Sequence, residues 1–119
     1  MSIYDKAREF AKELESCEEV INLRKASKDI ENSDSNKKVL DDFRTIQMNA
    51  YAEQMKNGKI SDGTRKRFND IGTVIMGNSS VNEYIQSEQK FTVMWQDILK
   101  ILNDAIGIDF SFGINKDKR

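Results

Sequence analysis

The sequence predicts an all-α protein, an antiparallel helical bundle of about four to five helices with a long C-terminal helix. Three observations carry this expectation. The chain has no proline and only 6 glycines in 119 residues, so few positions break a helix. From Val81 to Ile106 the residues Val81, Tyr84, Glu88, Phe91, Trp95, Ile98, Leu102 and Ala105 recur at steps of three and four, which places them along one helical face. Turn formers and cap residues punctuate the chain at 32–35, 57–61 and 77–79.

Ser2 to Asp5 reads as a capping box that opens a first helix, whose apolar stripe is Ile3, Ala7, Phe10, Ala11 and Leu14. A second box, Ser16 to Glu19, restarts or bends the helix, and Val20, Leu23, Ala26 and Ile30 continue the stripe. After the turn at Asn32-Ser33-Asp34-Ser35, a third helix is expected from about Asn36 to Asn57. It carries two stripes, Val39, Phe43, Ile46 and Ala50 on one and Met48, Tyr51 and Met55 on the other, so it needs two neighbours. The second stripe reads first as facing another helix of the same bundle and second as facing a partner chain.

Gly58 closes that helix, and Ser61 opens a shorter one to about Met76 with Phe68, Ile71, Val74 and Ile75 as its apolar residues. Gly63 and Gly72 each weaken it by about 1 kcal/mol relative to alanine, which leaves a strand over 72–76 as the local alternative. Ser80 to Glu83 forms a third box at the start of the long helix, and Gly107 ends it. Such a helix is roughly 40 Å long, more than a small domain needs for its own core. That excess points to self-association, while a length of 119 residues allows one core, so residues 1–107 are expected to form a single domain. In the tail, Ile108, Phe110, Phe112 and Ile114 alternate with polar or small residues, a period of two that suits a segment docked on a helix, paired with another subunit or frayed.

The totals exclude whole classes of function. A net charge of −1 gives no overall basic footprint for nucleic acid. No apolar run approaches the roughly 20 residues that cross a bilayer, the N-terminus has no signal-peptide core, and the lone Cys17 cannot form an internal disulfide, so the cytoplasm is the expected compartment. There is no histidine, no GxxxxGK and no GxGxxG, which removes the commonest general base, the usual nucleophile pairs and the phosphate-cradling loops. Neither an enzyme nor a cofactor nor a metal is expected.

Four local features remain. Glu88 is the one ionisable residue on the apolar seam and must find a partner if buried, either an arginine such as Arg44 or a register-fixing or partner contact. Arg65-Lys66-Arg67 is the densest basic run and reads as a solvated helix face before it reads as an RNA-phosphate site. Phe91, Met94 and Trp95 are expected in the core rather than in a ligand box, with Trp95→Ala costing about 3–5 kcal/mol if the site is fully buried. Cys17 reads as a small filler or a free thiol.

The order of these features resembles the YlbF/YmcA/YheA family of small bacterial all-helical proteins. The resemblance rests on Ile3-Tyr4-Asp5 with Ala7, on Phe43 and Gln47, on Gln54 with Gly58-Lys59, and on Asn78, Tyr84 and Glu88 ahead of a long apolar helix. It implies a cytoplasmic helical bundle that forms homo- or hetero-oligomers. Some members are linked to competence, biofilm formation and sporulation through a complex that modulates RNA processing by a membrane-bound endoribonuclease. Iron-sulfur clusters held by cysteines go with that complex, but this chain has Cys17 alone, so no cluster is carried over and the resemblance is closer to the shorter YheA-like branch.

Together these readings point to a non-enzymatic regulatory or scaffolding subunit, a homodimer before a higher oligomer, with possible protein partners in an RNA-processing complex and no membrane insertion. Tyr84, Glu88, Phe91, Trp95, Ile98 and Leu102, with Met48, Tyr51 and Met55, are its candidate interface. A weak RNA-binding module using Arg65, Lys66 and Arg67 is the alternative.

Overall fold

In a computed structural model, described over residues 2–108, the chain forms five helices and no strand among the described residues. They are α1 (Ile3–Ser16), α2 (Glu18–Glu31), α3 (Asp34–Asn57), α4 (Asp62–Met76) and α5 (Ser79–Ile106). The expected all-α bundle with a long last helix is the observed architecture. Residues 72–76 are helical, so the strand alternative is not taken. The tail segment that includes Phe110, Phe112 and Ile114 lies outside the described residues.

Local chemistry sets most boundaries. At Ser2 the expected capping box forms, with Ser2 Oγ accepting from the Asp5 amide and Asp5 accepting from the Ser2 amide. Ser33 and Ser61 accept from the amides of Asn36 and Thr64 in the same way. Gly58 and Gly107 adopt positive φ, 76° and 66°, and close α3 and α5 where a side chain would be strained.

Two expected caps are corrected. Ser16 is the last residue of α1, and its hydroxyl donates back to the carbonyls of Lys12 and Glu13, so the break between α1 and α2 is made by the extended backbone of Cys17 without a side-chain cap. At the start of α5 the cap is Asn78, whose Oδ1 accepts from the Val81 amide, and Ser80 lies inside the helix. Asparagine here does what serine was expected to do, two residues earlier, because its backbone is already extended.

From α2 to α5 the helices alternate in direction. Residue pairs late in α3 and early in α4 are adjacent, so α3 and α4 form an antiparallel hairpin closed by the turn at 58–61. α2 lies antiparallel to α5, with Cys17 beside Met94 at one end and Glu31 near Tyr84 at the other. This α2/α5 pair is the most extensive helix contact. Small side chains allow it, since Ala26 and Ser87 are both buried in their helices.

The core sits at one end of the molecule. Ile30, Ile46, Ile71, Ile75 and Val81 are buried together, with Val39, Leu40, Phe43, Phe68, Tyr84 and Ile85 packed around them. The expected stripes of α2, α3, α4 and α5 each supply part of this core: Ile30, then Val39, Phe43 and Ile46, then Phe68, Ile71 and Ile75, then Val81 and Tyr84. Three other apolar expectations fail. Met48, Tyr51 and Met55 are 72%, 58% and 71% exposed, so the second stripe of α3 meets no other helix among the described residues. On α4, Val74 is exposed while Thr64, not expected inside, is fully buried. Trp95 is exposed rather than in the core, stacked on half-buried Phe91 with ring centroids 6.1 Å apart. The cost expected for a fully buried Trp95 therefore does not apply.

Two substitutions test this packing. Ile30→Ala is expected to lose about 2–5 kcal/mol in urea unfolding, as a buried aliphatic truncation should. Gly72 lies inside α4 with open space where a Cβ would stand, so Gly72→Ala is expected to gain about 0.4–1 kcal/mol in the same measurement.

Candidate partner interface

The seam of α5 divides into two unlike halves. Its first half is occupied by its own chain, where Tyr84 and Phe91 line the contact with Val20, Leu23 and Ser27 of α2. Tyr84, Phe91 and Ile98 are half-buried as a result. Beyond Met94 no element of the described residues covers the seam fully, and Trp95 and Leu102 stand exposed. Leu99 and Ile106, which the heptad-like reading did not single out, extend that bare surface. The signal for them is a second register within the same helix, since Trp95, Leu99, Leu102 and Ile106 follow one another at steps of four, three and four.

Glu88 meets Arg44, the arginine named from the sequence, across the α3/α5 contact. Arg44 Nη2 donates to Glu88 Oε1 at 2.5 Å, and Arg44 Nη1 donates to Gln47 Oε1 at 3.4 Å. Both charged side chains are about one-third exposed, so water screens part of their attraction and the pair orients more than it stabilises. More than two helical turns away, Asn78 Nδ2 donates to Asn36 Oδ1 at 2.6 Å. These two ties join residues 36 and 44 to residues 78 and 88, which fixes α3 and α5 side by side in parallel register.

The corner between α3 and α4 holds a polar cluster that the sequence reading missed. Glu53 on α3 accepts from the Ser61 amide at 2.7 Å and from the hydroxyl of buried Thr64, while Ser61 Oγ donates to Thr64 Oγ1 at 3.0 Å. A carboxylate is thereby held at the N-terminus of α4, where the helix dipole favours it. The hydrogen bond from Thr64, then that from the Ser61 amide, then the nearby Arg67 charge hold the Glu53 carboxyl below its ordinary value of 4.5. Nothing in the local pattern marks Glu53, because its partners lie eight and eleven residues ahead across a turn.

Arg65, Lys66 and Arg67 are all exposed, on the first turns of α4. Three consecutive helical residues point about 100° apart, so they fan around the helix instead of forming one face. Lys66 is engaged by Asp70 at 3.0 Å, and Arg67 borders a shallow groove with Asp42 and Asp70. Among the described residues no group of acidic or cysteine side chains could hold a metal ion, and no helix is long and apolar enough to cross a membrane. The clefts beside α5 are open grooves, the largest lined by polar side chains such as Glu18, Glu83 and Lys90.

The lowered Glu53 carboxyl has a definite consequence for acid stability. Its contribution is present above the unfolded value and is lost as pH falls through the lower folded value. In acid titrations followed by circular dichroism, Glu53→Gln should flatten the decline in stability below pH 4.5, the carboxyl's ordinary value. A double-mutant cycle on Arg44 and Glu88 should return a coupling of about 0.2–1 kcal/mol.

Comparison with known proteins places this geometry in a family. The family described as "Control of competence regulator ComK, YlbF/YmcA" matches residues 3–107, which spans all five helices. A UPF0342 protein of Clostridium tetani is 43% identical over 116 residues, covering 98% of this chain and 100% of its own. One from Clostridium novyi is 46% identical over 92% of this chain and 96% of its own, and one from Halothermothrix orenii is 30% identical over 91% and 92%. The match runs from the first turn of α1 to the glycine that closes α5, and on it the chain belongs to the YlbF/YmcA family.

Proposed function

We propose that the protein is a non-enzymatic regulatory or scaffolding subunit of the cytoplasm that self-associates through α5 and acts by holding protein partners. The observation that carries this reading is the continuation of the α5 seam beyond the body of its own chain, with Trp95, Leu99, Leu102 and Ile106 exposed along one helix. Burying such a stripe releases roughly 25 cal/mol for each Å² of apolar surface. The exposed stripe of Met48, Tyr51 and Met55 on α3 offers a second apolar surface, and flexible methionines suit a partner of variable shape. The family's description, control of a competence regulator, supports a regulatory assignment. The RNA-processing complex to which some members are linked is the candidate pathway.

The alternative use of Arg65, Lys66 and Arg67 on RNA has less behind it, since Lys66 is paired and the three side chains diverge. A tagged pull-down from native cytoplasm, split into nuclease-treated and untreated halves, distinguishes the two. The regulatory reading expects the same protein partners in both halves, whereas recovery only without nuclease would make RNA the bridge. Light scattering should give a dimer for the unmodified chain and a shift toward monomer for Leu102→Lys, because a charge placed in an apolar interface is costly to bury.

A further inference from the structure

α1 and the distal half of α5 leave the body of the chain at the same place, and both are bare. They diverge from the corner where Cys17 Sγ lies 4.0 Å from Met94 Sδ. α1 packs on α2 alone and contains no buried residue. Ile3, Ala7, Phe10 and Leu14 form one stripe along it, with Ile3 80% exposed. Its polar face is internally paired, Arg8 with Asp5 at 3.0 Å and Lys6 with Glu9 at 3.6 Å. What remains unsatisfied is the apolar stripe. A helix of 14 residues is marginal in water unless such a face is covered.

The distal half of α5 has the complementary need. Its charged residues, Asp97, Lys100 and Asp104, share one face, where Lys100 Nζ meets Asp104 at 2.8 Å. Its opposite face carries Trp95, Leu99, Leu102 and Ile106 and no charge. That depletion is the signature of a surface that is buried in an assembly. From Trp95 to Ile106, as along α1, the helix runs for about 20 Å, so each stripe matches the other in length.

Within one chain the two stripes do not meet. Building on the proposed self-association, we propose that α1 of one copy lies along the distal half of α5 of a second copy, and that the two-fold repeats the contact. This exchange of N-terminal helices covers all four stripes in one closed, isologous interface. Pairing α5 with α5 alone would leave both copies of α1 uncovered. The exposed parts of Ile3, Phe10, Trp95, Leu99, Leu102 and Ile106 amount to about 600 Å² per copy, close to the roughly 800 Å² per partner of a standard interface once a polar rim is added.

Site-specific cross-linking tests the exchange. In a Cys17→Ser background, one chain carries Phe10→Cys and a second, distinguishable by a tag, carries Leu99→Cys; both positions are near the middle of their stripes, so either helix orientation brings them together. The two are co-expressed, checked for helicity by circular dichroism and for mass by light scattering, and treated with a short bismaleimide. The expected product is the mixed Phe10→Cys/Leu99→Cys dimer, in excess over either homotypic product. Phe10→Ser in the otherwise unmodified chain should raise the dimer dissociation constant by at least about tenfold. A dimer that cross-links only through Leu99→Cys to itself, or not at all, would overturn the exchange and leave self-association standing. A folded monomer at high protein concentration would overturn both.

Discussion

The structure depends on a mismatch of helix lengths. α5 has 28 residues and is about 42 Å long, while α2, its principal neighbour, has 14 residues and covers about half of that length. A short helix laid antiparallel against a long one must leave one end of the long helix without a neighbour. Here the covered end is the one near Val81, where α2, α3 and α4 all converge on the core. The other end carries an apolar stripe that no other helix of the described residues covers. The chain break at Cys17 is part of the same constraint, because it turns α1 away at the level of Met94 instead of letting it continue down α5. The division of α5 into a covered half and an exposed half is thus set by the position of one extended residue.

Polar residues hold the corners of the bundle, and they are largely the residues that carry the family resemblance. Asp5 completes the box at Ser2, Gln54 Nε2 donates to the Gly58 carbonyl at 2.9 Å, Asn78 caps α5 and ties it to Asn36, and Glu88 pairs with Arg44. Phe43 and Tyr84 pack against the core. Each makes a cap, a turn or a register contact. Residues used for geometry in this way set the shape of the bundle and the faces it leaves exposed. The absence of orphaned polar atoms agrees with this, since among the described residues no buried side-chain nitrogen or oxygen lacks a hydrogen-bond partner.

The sequence by itself determined the helices. Their number, order and ends follow from local chemistry: apolar residues at steps of three and four, serines at the first turns, glycines where positive φ is needed, and no proline. It also put Ala26, Ile30, Ile46, Ala50, Ile71 and Ile75 on inward stripes, because a narrow stripe on a short helix has only one way to face a core. Where two signals lay within a few residues, as at Ser16 and Cys17 or at Asn78 and Ser80, local pattern could not choose, since the choice rests on which residue is extended. Only the tertiary structure decided which apolar stripes are buried. The stripes of α1 and of distal α5 are as periodic as those of α2, and Trp95 is as apolar as any core residue, yet their burial depends on whether a neighbour stands opposite. The Glu53 cluster across its turn was hidden for the same reason, and Arg44 could be offered as a partner for Glu88 without being chosen: side-chain pairing between helices is fixed by their relative placement, which periodicity along one helix does not encode.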